Sequence, residues 1–545
     1  MQVYIALDGE TLRIIASKLR IELEQLMSLN PDITDPDRTI AGQRVNYLNL
    51  TDIPVCFPPP PTTDQKHWIP LTPLEEMEKT DYDVLIVGTG AGGGAALWRL
   101  CDKWARSGRR IGVVEQGDLL LPTHSFNVAT MNAQRKHNFF WNNVKPLGKF
   151  LPDFPGAMQL FALGGRTLFW WAVTPRMHPV DIAQWPVTFD EMEPYYNIAE
   201  GVLNVSRLYS QGSKVTEILL TRLRERSFPD VIEQPMAVDL SETKFGQLRA
   251  NPFFSSIVFL ATALNRHPFD LAVQARATRV LSEHGRAVGI EVMTPEMKSY
   301  VLRARTVVLS GSTWETPRLL LYSGIEGRAI GQYLMNHSKI FARAKVKRTD
   351  FPEVLGTLSI LIPRADNRPY QIQIMGPHFE RFYWHQPYDV EPLLPEVGFE
   401  IHSFGVVEPR YENRMFLDPT RADAYGVPEI QVNFSYSERD KAVIRELADA
   451  VKQAVHDMGA SFVLNNGEPD LCLRVPGDDT HEVGTCRMGD DPSTSATNRF
   501  GQIHGIPNLY VADNSVLPTS GAANPTLTTI ALAIRTADHI IHQLR

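Results

Sequence analysis

Glycines at positions 88, 90 and 93 follow directly on the apolar run Asp83-Val84-Leu85-Ile86-Val87. Each glycine in such a turn has its own task. Gly88 permits the tight bend, Gly90 lets a pyrophosphate approach the backbone, and Gly93 lets the next helix pack against the strand. That helix, continuing through Gly94-Ala95-Ala96-Leu97, would offer unpaired N–H groups and a positive dipole end to the phosphates. A second apolar run, Ile111-Gly112-Val113-Val114, ends in Glu115. An acid about 20 residues past the turn accepts hydrogen bonds from ribose hydroxyls and repels a ribose phosphate. Strand, turn, helix, strand and acid together indicate an ADP-containing cofactor, and the turn alone does not choose between FAD and NAD.

The elements that must hold this turn are spread over a long chain. Its 545 residues exceed what one core supports, so two or three domains are expected. Residues 1–50 read as a unit of their own. A strand over 3–7 precedes helical spacing at Leu12, Ile15, Ala16 and Leu19, and a second helix carries Leu23, Leu26 and Leu29 up to Asn30-Pro31. Ala41-Gly42-Gln43 then turns into a strand over 44–48. Four successive prolines, Pro58 to Pro61, favour an extended spacer, and a linker is expected over 51–80. Beyond it, strand and helix signals alternate at both ends, while 339–346, 357–362, 370–375 and 428–434 read as strands of a mixed or antiparallel sheet. The fold class expected is α/β: a Rossmann-like cofactor domain in three pieces (81–195, 261–340 and 476–545). A sheet-based α+β substrate domain (196–260 and 341–475) is inserted between them, and a small βααβ module precedes both.

Composition excludes several alternatives. The net charge of −8, with no Lys/Arg stripe, argues against nucleic acid as a partner. Cys56, Cys101, Cys472 and Cys486 show no Cys-x-x-Cys spacing, so neither a metal site nor a redox pair is expected. No run of about 18 apolar residues predicts a membrane span. The first residues lack a basic, then apolar, leader, which points to the cytoplasm, with export beside a signal-bearing partner left open.

From Asp81 to Arg545 several blocks appear in a telling order. They are Leu163-Gly164-Gly165-Arg166-Thr167, Val307-Val308-Leu309-Ser310-Gly311 with Thr316-Pro317-Arg318, the segment 331–337, His481-Glu482-Val483-Gly484-Thr485-Cys486-Arg487-Met488-Gly489, and Asn524-Pro525-Thr526-Leu527-Thr528. This region resembles the glucose–methanol–choline (GMC) oxidoreductases, most of all the branch of pyranose oxidases, gluconate dehydrogenases and glucoside 3-dehydrogenases. The resemblance implies FAD, with Gly88, Gly90, Gly93 and Glu115 at its ADP end and Ala277 and Gly311 beside the adenine. It places Gly164, Gly165, Asp513, Asn514, Pro525 and Thr526 along the ribityl chain and flavin ring. Some relatives link a loop histidine to the flavin; Phe169 stands at the nearest position here, which implies noncovalent FAD. The N-terminal unit resembles a LysM module, and that resemblance implies binding of an N-acetylglucosamine-containing glycan or a packing role.

Within the resemblance, His481 is the expected base and Asn524 the group that holds the substrate hydroxyl. Alcohol oxidation removes a proton from oxygen and a hydride from carbon; the hydride goes to flavin N5, and the proton needs a base with a pKa near working pH. His337, His402 and His504 are expected to be structural. The segment 379–386, rich in aromatics, is either a substrate lid or a loop packed on the sheet. The function this implies is oxidation of a primary or secondary alcohol on a sugar or glycoside, with electrons passed to oxygen, a quinone or a cytochrome. A non-redox flavoprotein such as a lyase, or a glycan-binding protein with a vestigial flavin domain, stand as alternatives.

Overall fold

The computed structural model describes residues 1–48, 66–105, 107–240, 252–351, 356–376 and 395–544. The proline run and the aromatic segment 379–386 lie outside the described residues. Two compact units divide the chain, Met1–Trp68 and Ile69–Arg545.

In the first unit, strands Gln2–Ile5 and Arg44–Tyr47 pair antiparallel around helices Leu12–Leu19 and Leu23–Ser28. The helical spacing closes a small core of Leu12, Ile15, Leu26, Ile40 and Val45. Asn30 ties the second helix to the second strand: its side-chain amide donates to the Leu26 and Asn46 carbonyls, and its oxygen accepts from Asn46 N–H. The order is βααβ.

The second unit holds two seven-stranded sheets. In the first, Asp270–Ala272, Ile111–Val114, Asp81–Val87 and Ser299–Leu309 lie side by side in parallel, and Leu509–Val511 joins the far end of Ser299–Leu309, also parallel. Arg286–Met293 and Arg276–Glu283 extend this sheet antiparallel. Ile111–Val114 and Leu509–Val511 are short, apolar and buried on both faces, and Ser299–Leu309 becomes buried on both faces over its last four residues, where it runs between its parallel neighbours toward the sheet edge. The glycine helix Ala91–Lys103 packs on the C-terminal helix Thr526–Gln543.

The second sheet is antiparallel, in the order Ser461–Phe462, Ser338–Lys347, Glu396–Gly405, Tyr370–Gly376, Leu358–Ile362, Ile232–Glu233, with Leu471–Leu473 also paired to Ser338–Lys347. Helices Lys214–Arg224 and Glu438–Asp457 bury their apolar stripes on it. Pro428–Asn433 departs from expectation. Among the described residues it pairs only with Arg414–Ala422, as a separate hairpin. The Asp423 carboxylate in its turn anchors it, held by Arg318 at 2.7 Å and Arg276 at 2.5 Å. The long sheet strand beside Ser338–Lys347 is instead Glu396–Gly405.

Two expected boundaries shift. Residues 69–80, read as linker, are packed into the second unit, where Thr72 N–H donates to the Leu271 carbonyl and Leu74 and Met77 are buried. A division at 260 would cut helix Ile257–Leu264, which packs under the glycine helix; the Ser256 hydroxyl donates to the Thr89 carbonyl. Among the described residues no helix is long and apolar enough to cross a membrane.

Candidate active site

Parallel strands aligned in one direction end at one edge of their sheet, and the chain leaves each of them at that edge. Val87 leads to Gly88, Val114 to Glu115, Leu309 to Ser310-Gly311, and Val511 to Ala512-Asp513. Ligands of open α/β sheets bind outside these carboxyl ends. A cavity of about 860 Å³ opens there and continues to the antiparallel sheet.

The turn has the properties its glycines foretell. Gly88 has φ +94°, and a Cβ on it would stand 2.4 Å from the Ser310 carbonyl oxygen. A Cβ on Gly93 would stand 2.0 Å from the Gly88 carbonyl oxygen, so that glycine seals the turn from behind. A Cβ on Gly90 would meet nothing within 4 Å, because this backbone faces the cavity. The Glu115 carboxylate is buried and accepts from Thr89 N–H at 3.0 Å, Thr89 Oγ1 at 2.7 Å and Gly117 N–H at 2.9 Å. Burial raises its pKa, and those three bonds oppose the rise. The Gln116 backbone N–H bears on the carboxylate as well, so it is held at the cavity wall, where Glu115 is one of the lining residues. Asp513 is similarly buried and raised, and it accepts from Ser312 N–H, Thr316 Oγ1 and Ser515.

Gly88, Gly90, Glu115, Gly165, Ala277, Gly311, Asp513, Asn514 and Thr526 all line the cavity, as do His481 and Asn524. Gly93, Gly164 and Pro525 do not. Gly93 is spent on packing, Gly164 turns the backbone at φ +92° and donates to Thr89 Oγ1, and Pro525 caps the helix that Thr526 begins.

At the far end of the cavity stand His481 and Asn524, with side chains from the antiparallel sheet. Two segments pair to form this end: Met335 and Val483 exchange both backbone hydrogen bonds at 3.0 Å. That pairing sets His337 against His481, with their Nδ1 atoms 3.1 Å apart. Arg166, next to the glycine pair, fixes the same loop. Its guanidinium lies 2.9 Å from the fully buried Glu482 carboxylate and donates to the Thr480 carbonyl. Thr480 itself has φ +57°, a strained conformation for a β-branched residue that the surrounding contacts must impose.

The hydrogen bonds fix which nitrogens carry protons. His337 Nε2 faces the Ser520 carbonyl at 3.2 Å and must donate to it. Burial lowers the His337 pKa to about 4, so the ring is neutral and its Nδ1 is an acceptor. His481 therefore donates from Nδ1, which leaves its Nε2 with the lone pair. Burial, together with the nearby His337, Lys339 and Arg166, holds His481 well below the usual histidine range, so it too is neutral. Asn524 is oriented from its other side. Its oxygen accepts from the amides of Gln371 at 3.0 Å and Gln373 at 2.6 Å, and its own amide points to His481 Nε2 at 3.3 Å. A neutral imidazole thus presents an unprotonated nitrogen beside a donor, at the wall of a cavity.

Gln371 and Gln373 carry no expectation from the sequence, and His337 was expected only as a structural residue. The glutamines alternate with Tyr370, Ile372 and Ile374 in a fully buried strand, a pattern that marks two polar groups on one face in need of a partner. His337 carried no such local signal. His402 also lines the cavity, held by Glu400 at 3.1 Å, whereas His504 bonds Ser495 away from it. Phe169, Trp170, Trp171, Phe140 and Trp141 form an aromatic wall. Against it, Lys136 lies 3.6 Å from the Phe126 ring centre and 3.8 Å from that of Trp171, and burial holds its amine well below the usual lysine range.

Two family models described as GMC oxidoreductase match the chain, the N-terminal one over residues 85–339 and the C-terminal one over 409–533. It is 29% identical to a C-glycoside 3-oxidase of Arthrobacter globiformis over 72% of this chain and 76% of that protein. To a 2-methyl-1,2-propanediol dehydrogenase of Mycolicibacterium austroafricanum it is 26% identical, over 84% and 95%. A pyranose 2-oxidase of Tricholoma matsutake is 23% identical over 72% and 74%. Among solved structures, pyridoxine 4-oxidase from Mesorbium loti superposes with a TM-score of 0.60 at 14% identity, over 85% of this chain and 99% of that one.

Proposed function

The chain belongs to the GMC oxidoreductase family and is an FAD-dependent oxidoreductase acting on CH–OH groups; from that premise we propose that it oxidises an alcohol of a sugar or glycoside, with His481 as the base. The observation that carries this reading is the unprotonated Nε2 of His481 beside the Asn524 amide, in one cavity with the glycine cradle.

The cradle's residues fit FAD. Gly90 presents bare backbone to a pyrophosphate beside the tight bend at Gly88, the Glu115 carboxylate faces the adenosine ribose, and Ala277 and Gly311 flank that end. Gly165, Asp513, Asn514 and Thr526 line the path toward His481. With phenylalanine at position 169, the cofactor is held without a bond to that loop. FAD, when bound, supplies the two-electron acceptor for the hydride that leaves the substrate carbon.

The chain supplies everything else. Asn524 donates to the substrate hydroxyl, held in place by Gln371 and Gln373, and so aims the C–H bond. His481 Nε2 lies within reach of the hydroxyl proton and takes it. The aromatic wall suits the apolar faces of a sugar ring, and the Lys136 amine beside it can donate to ring hydroxyls. In support, C-glycoside 3-oxidase and pyranose 2-oxidase are among the relatives. Anaerobic mixing with a panel of sugars, glycosides and simple diols tests the reading. Bleaching of the flavin band by at least one sugar or glycoside is expected, and bleaching by simple diols alone would redirect it. The N-terminal βααβ unit is proposed to bind N-acetylglucosamine oligomers; loss of retention on chitin after deleting residues 1–48 is the matching test.

A further inference from the structure

Behind the proposed base lies a carboxyl group that no step above uses. Asp479 sits two residues before His481, with its side chain fully buried. Its Oδ1 accepts weakly from His481 N–H at 3.4 Å. The Asn336 side chain also bears on the carboxyl, while its Oδ2 makes no close hydrogen bond and stands 3.6 Å from His481 Nδ1 and 3.7 Å from His337 Nδ1. With the two Nδ1 atoms 3.1 Å apart, these three atoms form a nearly equal-sided triangle. With Asp479 ionised, one proton lies in that triangle, on His481 Nδ1. A buried carboxyl kept for structure alone would have both oxygens satisfied by the fold. This one leaves an oxygen aimed at the shared edge of two imidazoles.

Other charges bear on the triangle. Lys339, held by Asp478 at 3.0 Å, faces it from the neighbouring strand, and Arg166 faces the histidines from the glycine loop. Glu482 adds negative charge, and the Tyr436 hydroxyl is raised in part by Asp479 itself. Burial dominates over these and pushes the Asp479 carboxyl up to about 7.

We propose that Asp479 is the counter-ion for the proton drawn from the substrate, acting as a positioning residue through the His337–His481 pair. The proposal rests on the reading of His481 as base. In the step, the substrate O–H bond breaks and an N–H bond forms at His481 Nε2, so His481 becomes an imidazolium. Its Nδ1–H then points into the triangle, where it can shift toward His337 Nδ1 or Asp479 Oδ2, and the ionised carboxylate balances the charge wherever the proton rests. The hydride electrons leave separately, and no other reactant is needed. A protonated Asp479 cannot balance this charge. The base is then weaker, so reduction of the enzyme accelerates as pH rises through the Asp479 titration and slows as pH falls through it.

The test measures the limiting rate of anaerobic flavin reduction from about pH 5 to about pH 9 for the holoenzyme and for Asp479→Asn, His337→Asn and His481→Ala. The unaltered protein is expected to speed up with a midpoint near 7. Asp479→Asn is expected to be slower by roughly 10- to 100-fold at the alkaline end, flat with pH, and unchanged in FAD content and substrate affinity. His337→Asn should lose the same pH step. Infrared difference spectra of the unaltered protein, taken across the same range, should show a carboxylic acid band that disappears in Asp479→Asn. An Asp479→Asn enzyme with the original rate and pH profile, next to a crippled His481→Ala, would overturn the proposal and spare the base. A His481→Ala enzyme that reduces normally would instead overturn the base reading itself. If Asp479→Asn fails to fold, the infrared titration and His337→Asn decide, and a missing band or a retained pH step counts against the proposal. One equivalent of tightly bound divalent metal per chain would replace the shared proton and overturn it as well.

Discussion

The two sheets of the large unit contribute to one cavity by different means. The parallel sheet offers backbone: its strands stop, and Gly88, Gly90, Gly311 and the loop at Glu115 meet the cavity within three residues of the last paired position. The antiparallel sheet offers side chains from strand faces, among them Gln373, Met375, His402 and Phe404. His481 and Asn524 lie between the two, on loops anchored to both. The difference teaches where damage should appear. Changes at the strand ends should cost cofactor retention, and changes on the strand faces should cost turnover with the cofactor still bound.

The largest effect expected is for His481→Ala, which should lose roughly 10²- to 10⁴-fold in the reduction rate while keeping its flavin spectrum. Loss of FAD together with rate would blur the division between the sheets. Next is Arg166→Leu, which leaves the buried Glu482 carboxylate without its guanidinium. A partly exposed arginine tempers the cost, so a loss of about 2–3 kcal/mol in unfolding free energy is expected, measured in denaturant with FAD saturating. Gly93→Ala pushes a methyl into the Gly88 carbonyl and should cost about 1–3 kcal/mol along with FAD occupancy. Gly90→Ala, with open space before it, should fold normally and only weaken FAD binding; equal destabilisation of the two variants would contradict the assignment of front and back to the turn. The smallest is Gln373→Leu. It removes one of two donors to the Asn524 oxygen and should slow reduction by about 10-fold without loss of flavin.

How far the sequence disclosed this arrangement follows the same division. The cradle was legible because its parts are local: a strand, its turn and the acid at the next strand end are set by short-range pattern. Gly93, Gly164 and Pro525 came close to the cavity yet do not line it, since a residue at the right place along the chain can still be used up behind the wall. The catalytic end was legible only where a family pattern marked it, at His481 and Asn524. His337 and Asp479 enter through the backbone pairing of Met335 with Val483, a tertiary event with no periodicity to announce it. Pro428–Asn433 read as a sheet strand because alternation is the same in a hairpin; its place is decided by distant segments, through the Asp423 ion pairs with Arg276 and Arg318 and the packing of Ile430 and Val432 with Trp314 and Phe154.

The most direct measurement mixes the FAD-loaded protein and its His481→Ala variant with sugars and glycosides in the absence of oxygen and follows the flavin absorbance. Rapid bleaching in the unaltered protein, with bleaching slowed at least about 100-fold in the variant, is the outcome expected if His481 Nε2 takes the hydroxyl proton. Bleaching at equal rates in both, or in neither across the whole panel, would contradict it.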